Sequence, residues 1–147
     1  MSVLNLRLCA LTLALLATPG FVCAAPDMAA PDAAAAVAAG KITLIDIRTP
    51  PEWKETGVAK GAKRINMLHP QGAPGFVDQL LGEVKGDKNA PIALICRTGN
   101  RTTQVQRYLQ SVGFTQVFNI NEGMAGSATG PGWIKRGLPV EICTAPC

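Results

Sequence analysis

Apolar residues in this chain occur in short runs, separated by glycine, proline and polar residues. Runs rich in Ile, Leu or Val predict β-strands over residues 41–47, 64–67, 91–95 and 117–120. The run at 91–95 is apolar throughout, which is typical of a strand that is covered on both faces. The strand pattern therefore predicts a short-stranded sheet with a buried centre.

The segments between these strands predict helices. An alanine run over residues 33–39 has Asp32 as its candidate N-cap and Gly40 as the residue after its end. Proline at the start of Pro50-Pro51-Glu52-Trp53 predicts the opening of a brief helix. Further helices are expected over residues 75–84, 102–112 and 133–136, the last of them after a glycine-rich loop at 126–132.

Strands that alternate with helices predict an α/β fold, with a mostly parallel central sheet flanked by helices on both faces. In such sheets, reactive groups collect beyond the carboxyl ends of the strands. Each predicted strand here is followed or closed by a polar or glycine-rich segment. These segments are residues 46–48, 66–72, 96–101 and 121–126. We therefore expect one functional rim at that edge of the sheet.

Residues 1–24 are predicted to be a secretory signal peptide. Arg7 is the only charge before an apolar run at 8–17, which is shorter than the about 20 residues of a membrane span. Residues 22–24 then supply a cleavage site. A buried first helix is the alternative, and a lipoprotein is disfavoured because the residue before Cys23 is not small.

Cleavage would leave a periplasmic or secreted chain without a membrane span. It would consist of a short tail at 25–30, one domain at 31–142, and a Cys-x-x-x-Cys tail at 143–147. The whole chain has 147 residues, 48% hydrophobic and 16% charged, which suits one domain with a real core. Its formal charge of +4 is scattered and only 5% of residues are aromatic, which excludes a nucleic-acid binder. Mild basicity favours small anionic substrates.

The segment Cys96-Arg97-Thr98-Gly99-Asn100-Arg101 lies between the buried strand and an amphipathic helix. Backbone N–H groups, the positive end of a helix dipole and two arginines would all favour a cysteine thiolate. Gly99 allows the backbone to curl tightly. The segment is therefore a candidate anion cradle with a nucleophile at its floor. The alternative is an inert core cysteine with solvated arginines.

This segment, extended to Thr102, resembles the active-site loop of single-domain rhodaneses, the thiosulfate sulfurtransferase family. Residues 44–48 with Glu52-Trp53, residues 57–62, and Glu122-Gly123-Met124 with residues 133–140 resemble other signatures of that family, in the same order. Two features depart from the family pattern. Val58 stands where the family has histidine, and residues 125–132 form an insertion on the expected rim.

The resemblance implies a persulfide cycle without a cofactor. Cys96 would take sulfur from thiosulfate or a similar anion and pass it to a thiol or cyanide acceptor. Backbone N–H groups from Arg97 to Thr102 would stabilise the sulfur anion. Arg97 and Arg101 would hold the sulfonate end of the donor, and Thr98 and Asn100 would tune the acceptor.

A supporting role is expected for Asp46, Arg48 and Glu52. Asp46 and Arg48 would form a buried or half-buried pair that ties the first loop to the catalytic loop, with Glu52 on Arg48. A structural role is preferred over a catalytic role for Asp46. A carboxylate beside a thiolate would disfavour the ionised form of the cysteine.

One alternative function stays open. The same fold could act as a non-catalytic persulfide carrier or partner-binding module. Related cysteine phosphatases and arsenate reductases place five residues between cysteine and arginine, whereas four separate Cys96 from Arg101. The shorter loop favours a single sulfur atom over a tetrahedral oxyanion. The oligomeric state stays open.

The remaining candidates are weaker. Cys143 and Cys147 are expected to form a disulfide rather than a redox or metal site. No metal site is expected, because His69 is the only histidine and two thiols do not fill four zinc positions. His69 is interpreted as a surface-loop residue, and Trp53 and Trp133 as packing anchors.

Overall fold

The computed structural model describes residues 26–144 and Cys147. The signal peptide predicted at residues 1–24 lies outside this range. Across the described ranges, no helix combines the length and the apolar character that a membrane crossing requires.

Eleven elements follow one another along the described chain. The helices are α1 (Ala30–Ala38), α2 (Pro50–Thr56), α3 (Gly72–Glu83), α4 (Asn100–Ser111) and α5 (Gly132–Lys135). The strands are β1 (Thr43–Asp46), β2 (Val58–Ala59), β3 (Lys63–Arg64), β4 (Ile92–Ile95), β5 (Val117–Asn119) and β6 (Val140–Glu141).

Four of the strands form one parallel sheet in the order β3-β1-β4-β5. In its register, Ile45 of β1 lies opposite Leu94 of β4, and Leu94 lies opposite Asn119 of β5. Every parallel connection crosses over through a helix, as such pairings require. The α/β fold with a parallel central sheet is therefore confirmed.

The central strand β4 divides the core into two layers, because successive side chains of a strand point to opposite faces. Ile92, Leu94 and Cys96 belong to the layer beneath α3 and α4. Ala93 and Ile95 belong to the layer beneath α1 and α5. The covering helices lie on both faces, and the cysteine that follows β4 continues the first layer.

A second, two-stranded antiparallel sheet pairs β2 with β6 and was missed by the sequence analysis. Two residues per strand are too few to show an alternating pattern. Val58 lies in β2 and is 5% exposed, so this departure from the family pattern is a packing position. The strand predicted at 64–67 is shorter than expected, although Ile65 N still donates to Asp46 O at 3.1 Å.

The segment before the first helix is attached to the sheet rather than forming a free tail. Met28 N donates to Asn119 O at 2.9 Å, and Asn119 N donates to Pro26 O at 3.1 Å. These bonds cover the open edge of β5, which would otherwise present unpaired backbone groups.

Helix α1 begins three residues before the predicted start, and Asp32 is not its N-cap. Asp32 lies in the first turn, and the N–H of Ala30 donates instead to the Glu122 carboxylate at 2.9 Å. Glu122 also accepts from Gly132 N at 2.9 Å and from Arg136 Nε at 2.7 Å. One buried carboxylate therefore joins α1 to the segment around α5.

Burial raises the pKa of Glu122, but the hydrogen bonds from Arg136, Ala30 and Gly132 outweigh burial and hold that pKa below its ordinary value. The carboxylate is 2% exposed and stays ionised at neutral pH.

Candidate active site

Cys96 lies directly after β4, at the centre of the sheet's carboxyl edge, and its side chain is buried. The Gly99 N–H donates to its sulfur at 3.2 Å, and the Thr102 hydroxyl oxygen lies 3.5 Å from the same atom. A backbone N–H aimed at sulfur can donate a hydrogen bond to the sulfur of the cysteine or of a persulfide formed on it. The cysteine is therefore placed as the floor of a cradle, as the sequence predicted.

The cradle is closed by the first turn of α4. Gly99 adopts φ +88° immediately before this helix, a conformation that favours glycine. The hydroxyls of Thr102 and Thr103 both donate to Gly99 O, at 2.8 and 2.9 Å. Loop 96–101 is therefore fixed to a twelve-residue helix whose positive end faces the cysteine.

A second backbone segment, residues 121–125, packs on the cysteine loop. Met124 N donates to Cys96 O and Ala125 N to Arg97 O, each at 2.9 Å. The packing leaves no space for a side chain, because a Cβ on Gly123 would lie 2.5 Å from Arg97 O. The position of the cysteine loop therefore depends on this segment.

Arg101 is held by Glu52, which corrects the expected partner of Glu52. Its two terminal nitrogens each donate one hydrogen bond to the Glu52 carboxylate, at 2.8 and 2.5 Å. Glu52 does not pair with Arg48 through its carboxylate. Glu52, at the start of α2, is thus the residue that ties the first loop to the catalytic loop.

This ion pair shifts the pKa of both Glu52 and Arg101. The hydrogen bond from Arg101 is the main cause that lowers the pKa of Glu52 from 4.5 to about 2, against the opposing effect of burial. The hydrogen bond to Glu52 chiefly raises the pKa of Arg101, and the neighbouring Cys96 adds to that rise. Arg101 is therefore a fixed positive charge beside the cysteine.

Asp46 and Arg48 form the buried pair that the sequence predicted. Arg48 Nη2 lies 2.7 Å from Asp46 Oδ2, and Arg48 Nε donates to both carboxylate oxygens at 3.0 Å. The remaining donors of Arg48 reach Thr56 Oγ1 and Gly57 O, both at 2.7 Å. The pair ties β1 to the end of α2 and does not reach the catalytic loop itself, contrary to expectation.

Two hollows flank the cysteine loop on different sides. Arg97 is exposed and lines a depression of about 90 Å³ together with Glu52 and Ala125. Among the residues that the structure describes, its guanidinium has no hydrogen-bonding partner. Thr98 and Asn100 line a larger cavity of about 990 Å³ on the other side. The cysteine loop therefore lies between a small hollow and a large one, and Cys96 itself is among the lining residues of neither.

The weaker candidates lie away from the cysteine loop. His69 is half-buried in a loop, where its Nδ1 accepts from Gln71 N at 3.2 Å. The side chains of Trp53 and Trp133 are 5% and 1% exposed and pack in the core. Within residues 26–144 and Cys147, no three His, Cys, Asp or Glu side chains group into a metal site.

The C-terminal cysteines are joined as Cys143–Cys147, with their Cα atoms 6.0 Å apart. Arg64 Nη1 lies 2.7 Å from Cys143 Sγ, and its guanidinium stacks 5.9 Å from the Trp53 ring centre. Cys96 is the free cysteine of the described chain.

Three polar residues near the site were given no role by the sequence analysis. Asn119, Gln106 and Glu122 are each 2% exposed. Asn119 was detectable as an amide in an otherwise apolar strand at the functional rim. The importance of Gln106 and Glu122 depends on contacts with distant segments, which a single sequence does not reveal.

The family model, the related sequences and the solved structures that match this chain agree with one another. The family model described as Rhodanese-like domain matches residues 29–128. A thiosulfate sulfurtransferase of Tolumonas auensis is 30% identical over 94 residues, covering 64% of this chain and 79% of that protein. An uncharacterised protein of Rickettsia prowazekii is 28% identical over 101 residues, covering 67% of this chain and 82% of that protein.

A solved structure is similar over most of the fold. The polysulfide-sulfur transferase homodimer of Wolinella succinogenes matches with a TM-score of 0.61 and 26% identity. The match covers 83% of this chain and 82% of that chain.

The Glu52–Arg101 pair predicts a specific acid sensitivity. A folded-state pKa near 2 against 4.5 means that the unfolded chain binds more protons, so this pair stabilises the fold above pH 4.5. Its contribution is lost as pH falls from 4.5 towards 2. Glu52→Gln should therefore lower the free energy of unfolding by about 1 kcal/mol at pH 7, and by less at pH 3.

Urea denaturation of the wild type and the variant at pH 7, 5, 4 and 3 measures this difference. Glu55→Gln is the control, since Glu55 is an exposed neighbour in the same helix. A Glu52→Gln difference that stays constant from pH 7 to pH 3 would contradict the assignment.

Proposed function

The chain belongs to the rhodanese-like domain family of sulfurtransferases, and we propose that it transfers sulfur from thiosulfate or a similar anion to a thiol or cyanide through a Cys96 persulfide. The observation that carries this proposal is the Gly99 N–H aimed at Cys96 Sγ at 3.2 Å, in a loop closed by the start of α4.

The first half-reaction is a displacement at the outer sulfur of the donor. The Cys96 thiolate attacks that sulfur, a bond forms between the two sulfur atoms, and the bond from the outer sulfur to the sulfonate breaks with its electron pair. Sulfite leaves and Cys96 carries a persulfide anion. The cradle N–H and the fixed charge of Arg101 support this step, because they stabilise negative charge on sulfur before and after it.

The donor's sulfonate is assigned to Arg97. Its exposed guanidinium lines the depression beside the cysteine loop and makes no hydrogen bond within the described residues, whereas both terminal nitrogens of Arg101 already donate to Glu52. A guanidinium can hold two sulfonate oxygens at once, which orients the outer sulfur. Arg97 therefore binds the donor, and Arg101 acts on the cysteine.

In the second half-reaction, a thiolate or cyanide attacks the outer sulfur of the persulfide. The sulfur–sulfur bond breaks and its electron pair returns to Cys96, so the thiolate is regenerated. No external oxidant or reductant is consumed in the cycle.

Cys96→Ser and Cys96→Ala should abolish sulfur uptake, because no side chain then remains to carry sulfur. Intact mass after thiosulfate treatment should show one added sulfur atom on the wild type only. Many turnovers of thiosulfate with cyanide would support the enzyme, and a single loading would support the carrier. Hydrolysis of aryl phosphates without sulfur uptake would replace the proposal with a phosphatase.

Arg97→Ala and Arg101→Ala should differ in their kinetics. Losing one charge-assisted contact of about 1.5–3 kcal/mol at Arg97 should raise KM for thiosulfate roughly ten- to a hundredfold. Arg101→Ala should chiefly lower the rate of persulfide formation, because it removes the charge beside the thiolate. Single-turnover kinetics over a range of thiosulfate concentrations separates the two effects.

Lys41→Ala is the charge-matched control for both variants. Lys41 is an exposed cation at the opposite, amino end of β1, so its removal should leave thiosulfate kinetics unchanged. An unchanged KM in Arg97→Ala, with a raised KM in Arg101→Ala, would reverse the assignment of the two arginines.

Export to the periplasm is also proposed, on the sequence of residues 1–24. The Cys143–Cys147 pairing supports it, because disulfides persist in oxidising compartments. N-terminal sequencing of protein from the periplasmic fraction should give a start at or near Ala25. Recovery from the membrane fraction of a chain that still begins with Met1 would contradict export.

A further inference from the structure

The Cys143–Cys147 disulfide follows β6 and lies near the surface. Both cysteines are half-buried, and Cys143 lines a hollow of about 200 Å³ together with Arg64 and Ile142. Arg64 is exposed, and Ile142, the neighbour of Cys143, is 87% exposed. A molecule from solvent can therefore approach the disulfide.

This disulfide does little to hold the fold together. Its cysteines are four positions apart, and the bond joins no two of the helices and strands that the structure describes. The stabilisation that a disulfide gives grows with the length of the loop that it closes, so a loop this short gains less than a long one. The segment before Cys143 is placed by other contacts, since β6 pairs with β2 and Lys60 N donates to Pro139 O at 2.9 Å.

A cation lies against the sulfur atoms. Arg64 Nη1 is 2.7 Å from Cys143 Sγ and 3.6 Å from Cys147 Sγ. The guanidinium also packs on the Trp53 ring, whose centre is 5.9 Å from its central carbon. A disulfide sulfur is a weak acceptor, whereas a thiolate is stabilised by a neighbouring arginine. Arg64 therefore favours the reduced pair over the disulfide, and favours Cys143 as the residue that carries the thiolate.

The disulfide is separate from Cys96. Lys63 and Arg64 are successive residues of β3, so their side chains leave opposite faces of the sheet. Lys63 Nζ lies 3.7 Å from the carboxylate of Glu83 in α3, on the face where the side chain of Cys96 belongs to the core. Arg64 and the disulfide that it contacts are therefore on the other face.

We propose that Cys143–Cys147 is a thiol–disulfide exchange site that accepts two electrons from a pair of external thiols, and that Arg64 stabilises the resulting Cys143 thiolate. This activity uses neither Cys96 nor the sulfur transfer proposed above.

The exchange balances with the two thiols as the reductant. The first thiolate, its proton having gone to solvent, attacks Cys147 Sγ and forms a mixed disulfide. The bond from Cys147 to Cys143 breaks, and its electron pair stays on Cys143 beside Arg64. The second thiolate attacks the sulfur of the first thiol, and Cys147 leaves with the electron pair of the broken bond and takes up a proton. The two external thiols depart as one disulfide.

The test equilibrates the full chain with buffers of reduced and oxidised glutathione and traps the free thiols by alkylation. Mass spectrometry then reads the tryptic peptide of residues 137–147, which carries both cysteines, while Cys96 falls in another peptide. The wild-type pair should pass from disulfide to dithiol within the range that glutathione buffers, which structural disulfides resist.

Arg64→Ala should shift the exchange equilibrium constant towards the disulfide by roughly three- to tenfold, because the thiolate loses its cation. Arg64→Lys should restore part of this shift, and high salt should shrink it. Lys63→Ala is the matched control, since Lys63 is an exposed cation of the same strand that faces α3, and it should leave the constant unchanged.

A second measurement needs no variant. In the fully reduced wild type at about pH 6.5, iodoacetamide should alkylate Cys143 before Cys147, because the thiolate is the reactive form. A disulfide that glutathione leaves intact would overturn the proposal, as would equal constants for the wild type and Arg64→Ala, or equal alkylation of the two cysteines. Sulfur uptake by Cys96 is read from its own peptide, so failure of the proposed sulfur transfer is distinguished from failure of the exchange site.

Discussion

The close contact of two backbone segments is the constraint on which the active site depends. Gly99 and Gly123, both with positive φ, allow loop 96–101 and residues 121–125 to lie against each other without side chains between them. The contact directs the Gly99 N–H to Cys96 Sγ and leaves Cys96 O bonded to Met124 N. Glu122, within the same segment, holds the starts of α1 and α5, so the cradle and the helices of one face are fixed together.

Three arginines near the cysteine have different environments and therefore different roles. Arg48 is buried against Asp46 and organises the end of α2. Arg101 is held by Glu52 and keeps a charge beside the thiolate at little entropic cost, because its rotamer is already fixed. Arg97 is exposed and free to meet a ligand. A sequence shows three arginines of equal charge, and only the location of the carboxylates distinguishes them.

The features that could be predicted from the sequence are those that short, local residue patterns specify. Apolar runs identified β1, β4 and β5 of the main sheet, and the order of glycine and arginine after β4 identified the cysteine loop. The strand predicted at 64–67 shares only Arg64 with β3, because β3 consists of two exposed charged residues. The sequence did not predict β2 and β6, because two-residue strands carry no periodicity, nor the start of α1, whose cap comes from Glu122 far along the chain. The Glu52–Arg101 pair likewise depends on a tertiary contact.

A double-displacement enzyme must bring two different reactants to one sulfur atom in turn. The hollows beside the cysteine loop differ in size and chemistry, with about 90 Å³ around Arg97 and about 990 Å³ around Asn119 and Arg107. In the proposed function, the sulfonate of the donor occupies the first hollow, where Arg97 lies. Residues 126–129, within the segment that the sequence analysis expects to be an insertion, line the larger hollow and not the smaller one. In the proposed function, changes in this segment leave the donor half-reaction intact, because the Cys96 cradle and Arg97 lie outside it.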